Sequence, residues 1–254
     1  MSSGDLFFYS IIGFGAGIYF FFRGLLWLKE KRLIENVPTS KIRSLAMGLV
    51  EIYGKVLPAE RGTMRSPLSN KDCVYYRYRV EEMRGSGKNR HWVTIKRGEE
   101  GVPFFLKDET GTVLVDPAGA RIEIPVDNEF NSSWGKDPPE QVKKFLNSQG
   151  LNFESFLGMN KTMRYREWFV EPGDKLYIMG TAEDNPYLEE ATAKNSVEDI
   201  MIGKGAHEKN FYISDSEEKE ILKKLKWKVI GGVFGGGLLT VGCLAVILLY
   251  LNLL

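Results

Sequence analysis

Charge is missing from both ends of the chain and dense in its middle. From Leu6 to Phe22 no side chain is ionised, and after Arg23 the apolar run resumes as GLLWL; from Val229 to Leu254 the 26 residues again carry no charge. A membrane-crossing helix needs about 20 mostly apolar residues at a rise of 1.5 Å each. Residues 6–28 and 229–254 are therefore predicted as transmembrane α-helices. A secretory leader would show a basic start and a small-x-small cleavage site. MSSGD lacks the first and the apolar run after it lacks the second, so this segment is expected to be an uncleaved anchor. Arg23 lies near the end of its span, where a long cationic side chain reaches the headgroups.

Between the anchors the hydrophobic period changes to two. A linker over residues 29–48, broken at Pro38, leads into GLVEIYGKVLP, where Val50, Ile52, Gly54 and Val56 alternate with Leu49, Glu51, Tyr53 and Lys55. CVYYRYRVEE alternates as strongly: Val74, Tyr76, Tyr78 and Val80 predict a core face, and Tyr75, Arg77, Arg79 and Glu81 a wet one. RGSGKNR reads as the hairpin loop into HWVTIKRG, and the turns DETG and DPAG punctuate VPFFLKDETGTVLVDPAGA. A helical insertion is predicted over roughly residues 138–158, with Val142, Phe145 and Leu146 on one side and Gly150 as C-cap. Strand text returns in MRYREWFVEPGDKLYIMGTA, with Trp168, Val170, Leu176, Ile178 and Gly180 pointing inward, and again in EDIMIGKG and KNFYIS. Short strands at this spacing predict a mainly β domain over residues 49–214, a small barrel or sandwich, with an OB-like barrel among its forms. Ser214 and Glu217 have capping-box spacing and open an amphipathic juxtamembrane helix, residues 215–228, that enters the second span unbroken.

Net charge is +1, and no basic stripe stands out, so no specific nucleic-acid partner is expected. The placement of charge says more. Lys29, Lys31 and Arg32 flank the first span on its inner side, and Lys219, Lys223, Lys224, Lys226 and Lys228 flank the second; the outer flanks, MSSGD and NLL, hold no Lys or Arg. The positive-inside bias then predicts a two-span integral membrane protein with a cytoplasmic central domain and outside termini. Of the two cysteines, Cys73 falls in a predicted strand and Cys243 in the second span, so they form no disulfide framework.

The stretches SPLSNKDCVYYRYRVEE, PFFLKDETGTVLVDPAGA and REWFVEPGDKLYIMGTA resemble the GIDE domain, also called the beside-a-membrane (BAM) domain, of the mitochondrial-anchored protein ligase family and its bacterial and archaeal relatives. The similarity runs from about Ser44 to Leu254. It implies a domain set between two membrane helices. In the eukaryotic ligases a RING finger comes after the second helix and holds two zinc ions on eight Cys and His ligands, whereas this chain offers only Cys73, Cys243, His91 and His207, with no ligand spacing. No ligase activity, metal or cofactor is therefore expected. The mitochondrial members place the domain in the intermembrane space, while the basic flanks here predict the cytoplasmic side.

Candidate chemistry is thin. Cys73 opens an alternating strand with no His near it in sequence, and His91 and His207 each stand alone, so a packed cysteine and two surface histidines are expected. Glu167, Glu171 and Asp174 gather around the EPGD turn, whose geometry explains them without acid–base chemistry. GFGAG and GGVFGGG imitate phosphate loops but lie inside the apolar spans. Their spacing matters more: Gly13 with Gly17, and Gly231 with Gly235 (as also Gly232 with Gly236), sit four apart, and Gly13, Gly17, Gly231 and Gly235 are predicted to pack one span on the other. The expected function is a non-enzymatic module beside the lipid bilayer that binds a membrane or cytoplasmic protein or assembles with its own copies. The alternatives are a membrane-associated enzyme with an unidentified site, and an OB-like binder of a small ligand or single-stranded nucleic acid. An exposed aromatic and basic face would favour the last, and a closed pocket with a buried carboxylate the enzyme.

Overall fold

The structure, a computed structural model, describes residues 3–36, 39–59, 62–151, 160–186, 199–205, 211–215 and 218–251. Two compact units emerge, one of Met1–Pro38 with Ser216–Leu254 and one of Thr39–Asp215. The α-helices among the described residues are α1 (Ser3–Asn36), α2 (Glu140–Ser148), α3 (Glu218–Val229) and α4 (Gly236–Tyr250), with a π-helical stretch, Ile230–Gly235, joining the last two.

In the helical unit α1 runs antiparallel to α3 and α4. Gly4–Glu35 and Ile221–Tyr250 are each long and apolar enough to cross a membrane, with mean hydropathy 1.6 and 2.2. At one end the rings of Phe7 and Tyr250 stack with centroids 4.5 Å apart. Further along, the backbones meet: a Cβ on Gly17 would sit 2.7 Å from the Thr240 amide nitrogen, and one on Gly24 would sit 2.5 Å from that of Val233. Gly13 faces the Cys243 thiol, with 2.6 Å for an added Cβ. The expected partners Gly231 and Gly235 are not part of this seam, since a Cβ on either meets nothing within 4 Å. The approach is made one residue later, at Gly232 and Gly236, where a Cβ would lie 2.6 Å from Gly24 Cα and 2.6 Å from the Phe21 nitrogen. Neighbouring helix positions differ by about 100° in direction, so two overlapping glycine pairs offer two faces, and α1 takes only one.

The second unit is mainly β. Its strands are β1 (Gly48–Pro58), β2 (Met64–Arg65), β3 (Asp72–Cys73), β4 (Tyr75–Arg84), β5 (His91–Gly101), β6 (Phe104–Lys107), β7 (Thr112–Val115), β8 (Arg121–Glu123), β9 (Asn128–Ser132), β10 (Met163–Val170), β11 (Lys175–Asp184), β12 (Ile200–Gly203) and β13 (Tyr212–Ser214). Five of them close a ring: β1 pairs with β6, β6 with β7, β7 in parallel with β12, β12 with β11, and β11 back with β1. Taken along the chain the ring order is first, second, third, fifth, fourth, the Greek-key connectivity of an OB-like barrel. β1 serves two neighbours, pairing with β11 over Gly48–Lys55 and with β6 over Lys55–Pro58. Gly54 sits where it changes partner, and a Cβ there would come 2.6 Å from the Lys107 carbonyl oxygen. Val50, Ile52, Val56, Phe104, Leu106, Val113, Leu176, Ile178 and Ile202 fill the barrel.

A four-stranded antiparallel sheet, ordered β5-β4-β10-β9, is inserted between barrel strands. One of its faces is covered by α2, whose Val142 and Leu146 pack with Tyr78, Val80, Met163 and Tyr165, while Phe145 meets the Tyr78 ring edge-on at 4.9 Å. Across from Tyr78 stands Gly98, where a Cβ would fall 2.6 Å from the ring. α2 ends at a left-handed Gly150 with Leu151 N–H donating to Leu146 O at 2.9 Å.

The wet face expected on β4 is only partly wet, and on β1 an outward carboxylate is buried as well. Glu51, on the outer side of β1, is fully buried because residues 39–40 lie across it: Thr39 Oγ1 donates to Glu51 Oε1 at 2.8 Å and the Ser40 amide to Glu51 O at 2.7 Å. On β4, Tyr75 joins the barrel core and Glu81 is buried among arginines. Of the helix expected over roughly 138–158, the described residues form helix only over Glu140–Ser148; its continuation over 152–158, Glu217 of the capping box, and His207 lie outside the described residues.

Candidate functional site: an arginine and tryptophan face

The open face of the four-stranded sheet is the most chemically loaded surface of the β unit. Period-two alternation places Arg77, Arg79, Glu81 and Met83 of β4 on it, while Tyr75, next in the same alternation, is packed into the barrel core. In register alongside stand Glu99, Arg97, Thr94 and Trp92 of β5, Trp168, Arg166 and Arg164 of β10, and Glu129 of β9. Five arginines thus face the carboxylates of Glu81, Glu99 and Glu129. Directly opposite Arg79 stand Arg166 on one side and Arg97 on the other, a like-charge row that costs stability unless something neutral or anionic intervenes.

Two devices hold the row together. Glu81, with its side chain 7% exposed, accepts from Arg164 Nε and Arg166 Nη2 with the same oxygen, each at 2.8 Å. Burial alone would raise its pKa, but the Arg164 hydrogen bond and the charges of Arg166 and Arg164 outweigh that and hold the carboxyl below its ordinary value. Trp168, 7% exposed, supplies the second device. The guanidinium carbons of Arg77, Arg166 and Arg79 lie 4.6, 5.6 and 5.8 Å from its ring centroid, and Arg164 covers Trp92 at 4.5 Å. The Nε atoms of Arg77 and Arg166 are buried and have no acceptor among the described residues. Both groups donate through another nitrogen, Arg77 Nη1 to Ile122 O at 3.4 Å and Arg166 Nη2 to Glu81, so each is left with one unsatisfied N–H.

The other candidates prove structural. Cys73 is buried, its thiol directed to Met64 O at 3.6 Å; burial, with Glu167, Asp72 and Glu171 nearby, pushes that thiol up to about 12. His91 is exposed with Nδ1 3.0 Å from Asn89 O. Asp174 caps its own turn, accepting from the Glu171 amide at 2.8 Å, and Gly173 takes the left-handed conformation that Pro-Gly-Asp requires. Glu167 does not join them: it is fully buried and accepts the Leu68 amide at 2.8 Å. Its second oxygen has no partner, yet neither the cleft beside α2 nor the one around Asp127 and Asp174 is lined by it. The described residues contain no group of three or more His, Cys, Asp or Glu side chains placed to hold a metal ion.

Arg77 and Arg79 stand out within their own strand, but reading one strand at a time does not tie Arg164, Arg166 and Trp168 to them. A signal is nonetheless present: RYREW and YRYR each carry arginines two apart, so two paired strands must place them on one face.

No curated protein matches the chain, and no solved structure matches it. A family model does match, that of GIDE, described as E3 ubiquitin ligase, over residues 74–248, which takes in most of the β unit and nearly all of the second apolar helix. By that match, and in agreement with the resemblance noted in its strands, the chain belongs to the GIDE family.

Proposed function

We propose that this chain is a membrane-anchored binding module that uses its arginine face to take an acidic segment of a partner protein. The observation that carries this reading is the like-charge row of Arg97, Arg79 and Arg166 set side by side on three adjacent strands. Carboxylates suit the row better than nucleic acid does. Single-stranded nucleic acid is gripped by stacking bases on open aromatic rings, and here Trp168 and Trp92 are covered by guanidinium groups. Bidentate capture of carboxylates needs no open ring.

In this reading the protein works by binding rather than by transferring ubiquitin. The domain faces the cytoplasm, because Lys29, Lys31, Arg32, Lys223, Lys224, Lys226 and Lys228 all lie towards the same end of the antiparallel helices.

Binding of a fluorescent hexaglutamate peptide to the full chain in nanodiscs tests the proposal, with a thymidine hexanucleotide as competitor. Arg79→Glu should weaken peptide binding at least tenfold, and added salt should weaken it progressively. Tighter binding of the oligonucleotide than of the peptide would replace this reading with the nucleic-acid one, and indifference to Arg79→Glu would end it.

A further inference from the structure

Because α1 packs on Gly232 and Gly236, the other glycine pair is left facing outward. Beside the seam, between α1 and the second apolar helix, the helical unit holds a groove of about 390 Å³, lined by Phe20 and Trp27 of α1, by both glycine pairs (Gly231 with Gly235 and the outer edge of Gly232 with Gly236), by Leu239, and by Lys228 at one end. That volume lies within the roughly 300–1,000 Å³ of ordinary ligand sites. The floor coincides with the π-helical stretch Ile230–Gly235, a rare helix form that concentrates at functional positions.

The groove is graded in polarity. Its deep end is Phe20 and Leu239. Its other end has Trp27, with the Arg23 guanidinium 5.5 Å from the ring centroid, and Lys228, which is exposed and has no acidic partner among the described residues. Tryptophan, arginine and lysine together are the residues of a headgroup layer. From Lys228 to Leu239 is roughly 16 Å along a helix axis, close to the ~15 Å depth of one leaflet's hydrocarbon.

We propose that this groove is a binding site for one anionic phospholipid, its acyl chain laid along Gly231 and Gly235 and its phosphate held by Lys228. A neighbouring helix fits the groove less well, because seating one there would bury the Lys228 ammonium against apolar backbone with no acceptor, whereas a phospholipid carries its own. Glycine at 231 and 235 then serves to open space for a chain of methylenes rather than to bring two helices together.

Native mass spectrometry of the full chain, released from vesicles of equal phosphatidylglycerol and phosphatidylcholine, reads the site directly. The protein should retain one phosphatidylglycerol in at least fivefold preference over phosphatidylcholine, about what one lysine at an anionic surface supplies. Lys228→Ala should remove the preference. Lys226→Ala, exposed on the same helix but not lining the groove, should keep it. Gly231→Leu with Gly235→Leu should lose bound lipid of both kinds while a disulfide between cysteines placed at Phe7 and Tyr250 still forms. Equal retention of the two lipids by the unaltered chain, or equal loss with Lys226→Ala and Lys228→Ala, overturns the proposal. So does a wild-type dimer that the double glycine variant dissociates, since a second copy's helix would then be the occupant.

Discussion

Replacing Glu81 with Gln is the sharpest probe of the arginine face, because a single oxygen holds two guanidinium groups. The change keeps the side-chain shape and removes the charge that Arg164 Nε and Arg166 Nη2 each reach at 2.8 Å. Removing one partner of a fully buried ion pair costs about 3–5 kcal/mol. Here the arginine side chains keep 22% and 20% exposure, so water recovers part of the loss and about 2–3 kcal/mol is expected. At about 2–4 °C per kcal/mol for a unit of this size, the melting point should fall by roughly 4–12 °C. The pH dependence has a definite sign. The folded carboxyl titrates below its unfolded value near 4.3, so its stabilisation is complete above that pH and is lost as pH falls through the folded value. Urea unfolding of the full chain in detergent, monitored by near-ultraviolet circular dichroism, should show the gap between wild type and Glu81→Gln closing as pH falls below about 4. A gap under about 0.5 kcal/mol at pH 7, or one that stays constant down to pH 3, would refute the assignment of Glu81 as the clamp of the row.

The same geometry fixes other outcomes. Ile178→Ala, at a fully buried barrel position, should cost about 2–5 kcal/mol in the same urea assay. Cys73, buried with its thiol pushed up to about 12, should resist iodoacetamide at pH 8 in the folded protein and react once urea unfolds it. Gly24→Leu, which drives a side chain into the Val233 backbone, should abolish the Phe7–Tyr250 cysteine crosslink, while Gly231→Leu should leave it intact. A cysteine at exposed Ser86 should be protected from a membrane-impermeant maleimide in intact cells and labelled after permeabilisation; labelling in intact cells would place the domain on the outer side.

Elements governed by local chemistry are legible in sequence. β1 spans the whole of GLVEIYGKVLP, the DETG turn forms with Asp108 accepting the Thr110 and Gly111 amides, and α2 presents Val142 and Leu146 as its spacing requires. What escapes is set by pairings distant in the chain. Nothing within the β1 text says that Thr39 will cover Glu51. Likewise the alternation on β4 defines two faces but not that β10 will bring Arg166 opposite Arg79. The glycine seam shows a third limit, since helical spacing identifies pairs and leaves open which of two adjacent faces the partner helix selects.

The order of strands around the barrel dictates an order of assembly. β1, the first strand made, has to wait for β11 to pair along most of its length, and the ring is sealed only when Ile200–Gly203 slots in beside β7 and β11. Almost the whole β unit must therefore leave the ribosome before any barrel exists. Until then β7 and β11 carry unpaired edges rich in Val, Leu and Ile. A chain stalled or cleaved before residue 200 would carry an open sheet, and be a natural substrate for quality control rather than a truncated but working domain.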